Sequence, residues 1–217
     1  MTVQPGSDRE VQTAIKPEFA DLWAEAMPIE AYVAQLWRKN RGRFELNLGR
    51  TTLTDDIRAR FGARPPRLLV LTDPWCEDSA LLVPMAWRVA QEVASVELRV
   101  LRASEHRDLA SRYTTRGGYP AIPVFIVLGA DLRELGALVE RPARMTAEMA
   151  AETRRFQQEH ADLPGVRRTV ERMPNETQAL LKEHIAAWRD GQHGQWTRYL
   201  LEDLAGIADS DELGRTG

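Results

Sequence analysis

Apolar positions in this chain follow a helical period at both ends and a strand period in the middle. Near the start, Phe19, Leu22, Trp23 and Ala26 recur three and four residues apart, the spacing of one helix face. Met27-Pro28 ends that pattern, because the residue before a proline avoids the helical region. A second helix is expected from Pro28, well suited to a first turn, through Tyr32, Val33, Leu36 and Trp37, with a stop at Arg41-Gly42. A third, Asp55 to Phe61, has Thr54 to cap it and Gly62 past its end. Then the period changes. RLLVLT, residues 67 to 72, is a short apolar run suited to a strand buried on both faces. Ser79 to Ala94 reads as a helix, Val96 to Leu101 as an alternating strand and Arg107 to Tyr113 as a short helix. Gly117-Gly118-Tyr119-Pro120 is a loop, and PVFIVL, residues 123 to 128, is a second buried strand. After a tight turn at Gly129-Ala130-Asp131, Leu132 to Val139 can pair back as another strand. The order β-α-β-α-β-β predicts an α/β sheet ending in a hairpin.

The last third returns to helix. Met145 to His160 is rich in good helix formers. Asn175 is placed to cap a helix carrying Leu180, Leu181, Ile185 and Trp188, which Gly191 and Gly194 interrupt before a final segment with Trp196, Tyr199, Leu200 and Leu204. The expected organisation is an N-terminal helical extension over 1–63, an α/β core over 64–142, a C-terminal helical extension over 143–207 and a flexible tail over 208–217. Residues 1 to about 16 read as unanchored.

Composition narrows the function classes. With 217 residues, 43% of them apolar, one well-filled domain with helical additions is affordable. The net charge of −3, with acids interleaved among the arginines, offers no basic stripe and argues against a nucleic-acid partner. No run approaches 18 apolar residues and MTVQPGSDRE has no apolar core of a secretory leader, so the expectation is no membrane partner and a soluble protein of a reducing cytoplasm. His106, His160, His184 and His193 lack metal-ligand spacing and read as surface or cap residues; no bound metal or cofactor is expected. Gly117-Gly118 is followed by neither Lys-Ser/Thr nor a helix, so it is no phosphate loop. Arg144, Glu148, Glu152, Arg154 and Arg155 read as a solvated helix face, and Trp188 and Trp196 as core or a subunit contact. Nothing in the sequence names an oligomeric state.

One residue carries candidate chemistry. Cys76 is the single cysteine, so no internal disulfide and no multi-cysteine zinc site can form. It lies in Trp75-Cys76-Glu77-Asp78-Ser79, after a buried strand and at a helix start, with Pro84 eight residues further along that helix. Forty-seven residues after the cysteine, YPAIPVFIVL puts Ile122-Pro123 just before a central strand. Together these marks resemble the thioredoxin superfamily over roughly residues 64 to 142, and within it a bacterial thioredoxin-family group whose motif is often Trp-Cys-Gly-Asp-Cys. The resemblance implies a thioredoxin-like central mixed sheet with flanking helices, Cys76 as the nucleophile and Pro123 as a cis-proline. With Ile122 and Trp75, Pro123 would form the substrate-binding surface. Independently, a cysteine at a helix N-terminus meets unpaired amides that lower its pKa, and a thiolate can attack a disulfide sulfur. Pro84 has no amide hydrogen and is expected to kink its helix away from the site.

The departures matter as much. Ser79 stands where the family's resolving cysteine would be, so Cys76 cannot be released from a mixed disulfide by its neighbour. Ser79 is instead placed to donate a hydrogen bond to the thiolate, whereas Glu77 and Asp78 would raise the thiol's pKa. Val70 occupies the place of the family's buried acid, six residues before the cysteine, and Val124 follows Pro123 where threonine is frequent. Three readings follow. The first is a single-cysteine thiol-disulfide oxidoreductase acting on mixed disulfides of proteins or small thiols, with Cys76 and Ser79 catalytic and a low-molecular-weight thiol as co-substrate. The second is a non-catalytic protein- or peptide-binding module on the same fold. The third, ranked last, is a redox sensor in which Cys76 is oxidised to a sulfenic acid.

Overall fold

Thirteen helices and strands of ordinary length and one two-residue strand build the described part of the chain. The computed structural model describes residues 19–115 and 117–210. In chain order these elements are α1 (Phe19–Glu25), β1 (Met27–Pro28), α2 (Ile29–Gln35), α3 (Arg38–Arg50), α4 (Asp55–Ala63), β2 (Arg67–Thr72), α5 (Glu77–Glu92), β3 (Glu97–Arg102), α6 (Arg107–Ala110), β4 (Val124–Leu128), β5 (Glu134–Val139), α7 (Ala143–Glu159), α8 (Asn175–Gly191) and α9 (His193–Asp209). A single 3-10 turn, Val170–Arg172, lies between α7 and α8.

The five strands form one mixed sheet in the order β1-β3-β2-β4-β5. β2 runs parallel to β3 and antiparallel to β4, and β5 returns antiparallel along β4. Alternation along the central strand sorts the core. Leu68 and Val70 point to the face covered by α2, α3, α4, α5 and α9, while Leu69 and Leu71 point to the face covered by α1 and α6. Both faces are therefore apolar along β2 and β4, as buried runs require. Trp196, Leu200, Leu201 and Leu204 of α9 belong to the same core as the sheet, and Trp188 meets the Trp196 ring edge-on at 5.6 Å between centroids. A smaller apolar cluster of Phe156, Val166, Met173 and Leu181 joins α7 to α8.

Register decides what meets at one end of the sheet. Leu71 of β2 pairs with Val124 of β4, and Val124 pairs in turn with Val139 of β5. The segments that follow β2, precede β4 and follow β5 therefore converge on the same edge. Those segments contain Cys76, Ile122-Pro123 and Glu140-Arg141.

Several expectations change here. Met27-Pro28 does end α1, but it is also a short strand paired antiparallel with Arg99 and Val100. The stop expected at Arg41-Gly42 is absent: after a break at Leu36-Trp37, α3 runs through Gly42 to Arg50. Its buried residues are Asn40, Phe44 and Asn47, a stripe with one apolar member that hydrophobic spacing does not register. Thr54 caps α4, accepting from the Ile57 N–H at 3.4 Å. Gly62 lies inside α4, and Asn175 is the first residue of α8 with no side-chain cap at that end. α9 continues through Asp209, two residues beyond the expected end of the helical region. The expectations for residues 1 to 16 and for 211–217 lie outside the described residues.

Candidate functional site

The turn Asp73-Pro74-Trp75-Cys76 hangs from the end of β2, closed by the Cys76 N–H donating to the Asp73 carbonyl at 3.0 Å. Two residues from the N-terminal additions tie it down. The Tyr32 hydroxyl donates to the Asp73 carbonyl at 3.3 Å and the Asn40 side-chain amide donates to the Pro74 carbonyl at 3.1 Å. Cys76 is the N-cap residue of α5, so its side chain faces the free amides of the first helical turn. Across the sheet edge, the Ile122–Pro123 peptide bond is cis. The Cys76 thiol donates to the Ile122 carbonyl at 3.6 Å, and the Glu140 N–H, at the end of β5, donates to the Pro123 carbonyl at 2.8 Å. Cys76, Ile122 and Pro123 are thus brought together. Trp75 stands beside them, 51% exposed.

Ser79 lies deeper, on the inner side of the thiol. It is fully buried, and its hydroxyl is hydrogen-bonded to that of Thr72 at the end of β2. It links helix to sheet beneath the thiol.

Cys76 as a whole residue is only 6% exposed. Burial pushes its pKa above the ordinary value; hydrogen bonding from the Ser79 hydroxyl and amide pulls it back, and the charge of Asp78 adds to the rise. The lowering expected from the helix N-terminus is therefore outweighed by desolvation. Glu77 and Asp78 are not bare charges, as the sequence suggested. Glu77 is held by Lys39 at 2.6 Å and Arg43 at 3.0 Å, both from α3, and the Lys39 contact leads in holding its carboxyl below the usual range. Asp78 is held by Arg189 at 2.9 Å and Arg141 at 3.1 Å. Asp73 turns its carboxylate toward the loop after β3, accepting from the Ser104 N–H at 3.1 Å and hydroxyl at 2.7 Å. Val70, in place of the family's buried acid, lies fully buried in the core.

α5 is kept whole across Pro84 by a residue the sequence did not flag. Pro84 cannot donate to the Ala80 carbonyl one turn earlier. The buried side-chain amide of Asn47 does so instead, at 2.8 Å. Trp87, on the same helix, packs half-buried against Phe44 with ring centroids 5.8 Å apart.

Two readings of peripheral residues are corrected. The α7 face is solvated only in part: Arg144, Arg154 and Arg155 are exposed, but Glu148 accepts from Trp196 Nε1 at 2.8 Å and from the Tyr199 hydroxyl at 2.9 Å, and buried Glu152 meets His184 at 2.6 Å. His193 is no surface residue but is buried at the start of α9, beside Thr51. Among the described residues no group of histidines, cysteines and acids could hold a metal ion, and no helix is long and apolar enough to cross a membrane.

Comparison with known proteins agrees with this fold. A protein of unknown function from Pseudomonas aeruginosa shares the fold at 18% identity and a TM-score of 0.61, over 90% of this chain and 99% of that one. An HIV epitope-scaffold does so at 20% identity and a TM-score of 0.60, over 89% and 98%. At these identities the likeness shows the fold alone, and its extent takes in helical additions as well as the sheet. No curated protein matches the chain. The profile of the family described as Thioredoxin matches residues 26–155, from β1 through most of α7, and the chain belongs to the thioredoxin family.

Proposed function

We propose that the chain is a single-cysteine thiol-disulfide exchange protein. The observation that carries this reading is the contact between the Cys76 thiol, at the N-terminus of α5, and the carbonyl of the cis Ile122–Pro123 peptide. Ionised, Cys76 attacks one sulfur of a mixed disulfide between a protein and a small thiol. Attack at the small-thiol sulfur forms a Cys76–small-thiol disulfide, and the protein leaves as its thiolate. With Ser79 in place of a second cysteine, release falls to a second molecule of low-molecular-weight thiol, which restores Cys76 and carries off a symmetric small-thiol disulfide. Trp75, Ile122 and Pro123 would present the substrate backbone, with Trp75 adding apolar contact. Ser79 would act from below, through its hydrogen bonding to the thiolate and to Thr72. Because burial raises the thiol's pKa, the thiolate is a minor species at neutral pH and exchange accelerates as pH rises.

The test is release of glutathione from a glutathionylated peptide, followed against pH with free glutathione present. The native chain should accelerate release, increasingly above the ordinary thiol range of roughly 8–9. Cys76→Ser should give the uncatalysed rate. Equal rates for the two proteins at every pH would sink the proposal.

A specific observation favours a second reading. The thiol is enclosed, while Trp37, Trp75 and Tyr119 are 64%, 51% and 74% exposed on segments bordering the site. The Trp37 N–H donates to the Pro74 carbonyl, and Tyr119 precedes the cis-proline loop. Exposed aromatics on these segments suit an extended apolar peptide held without redox chemistry. On that reading Cys76→Ser leaves peptide binding intact.

A further inference from the structure

Asp78 stands two residues past the thiol, on the first turn of α5, and each of its carboxylate oxygens meets a different arginine. Arg189 Nη2, from α8, lies 2.9 Å from Oδ1, and Arg141 Nη2, from the segment after β5, lies 3.1 Å from Oδ2. The three side chains are between 17% and 25% exposed, so solvent and salt screen them weakly. Both arginines are fixed from behind. Arg189 lies over the Trp196 ring, 5.7 Å from its centroid, and Arg141 is paired with Glu140 and donates to Met149 Sδ at 3.2 Å.

The other charges around Cys76 have different arrangements. Glu77 is paired with Lys39 and Arg43 on α3. Asp73 is bonded to Ser104, with Arg102 at 3.9 Å. The Tyr32 hydroxyl, from α2, donates to a backbone carbonyl. Asp78 is the acid on the thiol's own helical turn that is neutralised from the C-terminal side of the chain.

We infer that Arg141 and Arg189 are positioning residues of the thiol site: by taking one carboxylate oxygen each, they offset the negative charge that Asp78 places beside Cys76. The inference deepens the exchange reading, in which the thiolate is the reacting species. It gives α8 a chemical role: the helix carries a cation that tempers the negative charge beside the thiol. A like charge within a few ångströms disfavours ionisation and a paired one does so less. Removing an arginine should therefore suppress the thiolate, and removing Asp78 should promote it.

The experiment is the pH dependence of Cys76 alkylation by iodoacetamide in the full chain. Asp78→Asn should shift the profile to lower pH and speed alkylation at neutral pH by a few-fold, short of the roughly tenfold that one full pKa unit would give. Arg141→Gln and Arg189→Gln should slow it by a similar factor, and Arg189→Lys should recover most of the native rate. A merely structural role would not give this split. Loosening the same ion pairs would expose the thiol and speed alkylation in every variant. The inference is overturned if Asp78→Asn and Arg189→Gln move the profile in the same direction, or if Asp78→Asn leaves it at the native position. Alkylation needs no disulfide substrate. Profiles that split as stated while glutathione release stays uncatalysed would support the arginine assignment and count against exchange.

Discussion

Asn47→Ala strips the Ala80 carbonyl of the donor that Pro84 cannot supply. Asn47 and Ala80 are both buried, and the bond between them is 2.8 Å long. Water cannot take over at a fully enclosed carbonyl, so the variant bears the cost of an unsatisfied acceptor, about 1–3 kcal/mol. The amide oxygen of Asn47 also accepts from Arg50 Nε at 3.0 Å, a partly exposed contact that adds little. The expected loss is about 2 kcal/mol. The cause is separable from ordinary packing loss by a second substitution. Pro84→Ala restores an N–H one turn after Ala80, so the carbonyl regains a helical donor whatever stands at position 47. In that background Asn47→Ala should cost about 1–2 kcal/mol less than in the native chain. Pro84→Ala alone has competing effects, a better helix former against a cavity at a buried site, and only the difference between backgrounds is diagnostic. Equilibrium urea unfolding followed by circular dichroism gives all four stabilities, provided m stays constant. Equal costs for Asn47→Ala in both backgrounds, within about 0.5 kcal/mol, would refute the argument that Asn47 stands in for the missing amide.

His193 should make the fold sensitive to acid. The Thr51 hydroxyl donates to the Asn47 carbonyl at 2.6 Å, so toward His193 Nε2, 3.1 Å away, it can only accept. Nε2 then carries the ring proton, and Nδ1 is buried with no partner among the described residues. Protonating it buries an unpaired cation; desolvation first, and then the charge of Arg50, push the pKa down to about 4. The unfolded chain takes up the proton near the ordinary value, so stability is full above pH 6.5 and falls as pH drops toward 4, by up to about 3 kcal/mol. His193→Gln should flatten that stretch of the stability-pH curve; an unchanged slope would contradict the assignment. Trp75→Ala should leave stability within about 0.5 kcal/mol, because the side chain is half exposed. The same variant should weaken capture of an apolar peptide, measured by fluorescence anisotropy, and unchanged capture would remove Trp75 from the substrate surface.

Much of this architecture was legible because its signals are local. RLLVLT, residues 67 to 72, is β2 residue for residue, and the strands and helices after it were placed to within a few residues. The Cys76 and Ile122-Pro123 pair was legible through the resemblance, since each motif is weak alone. What stayed hidden depends on long-range polar contacts. α3 buries two asparagines around one phenylalanine, a pattern that carries no helical hydrophobic signal, and it passes through a glycine that reads as a stop. The partners of Glu77 and Asp78 come from positions 34 to 111 residues away, which no spacing rule reaches. The same distance hid the direction of the thiol's pKa. Burial of Cys76 follows from packing the 73–76 turn under Tyr32 and Asn40. It cannot be read from a cysteine at a helix start.

The most direct test of the central claim is intact-mass spectrometry of the native chain after mixing with excess glutathionylated peptide, sampled from pH 7 to 9. The account predicts a glutathione adduct that maps to Cys76, forms faster at higher pH, disappears on addition of free glutathione and never forms in Cys76→Ser. No adduct at any pH, with the peptide's disulfide intact and the chain folded, would contradict thiol exchange and leave peptide binding as the reading in front.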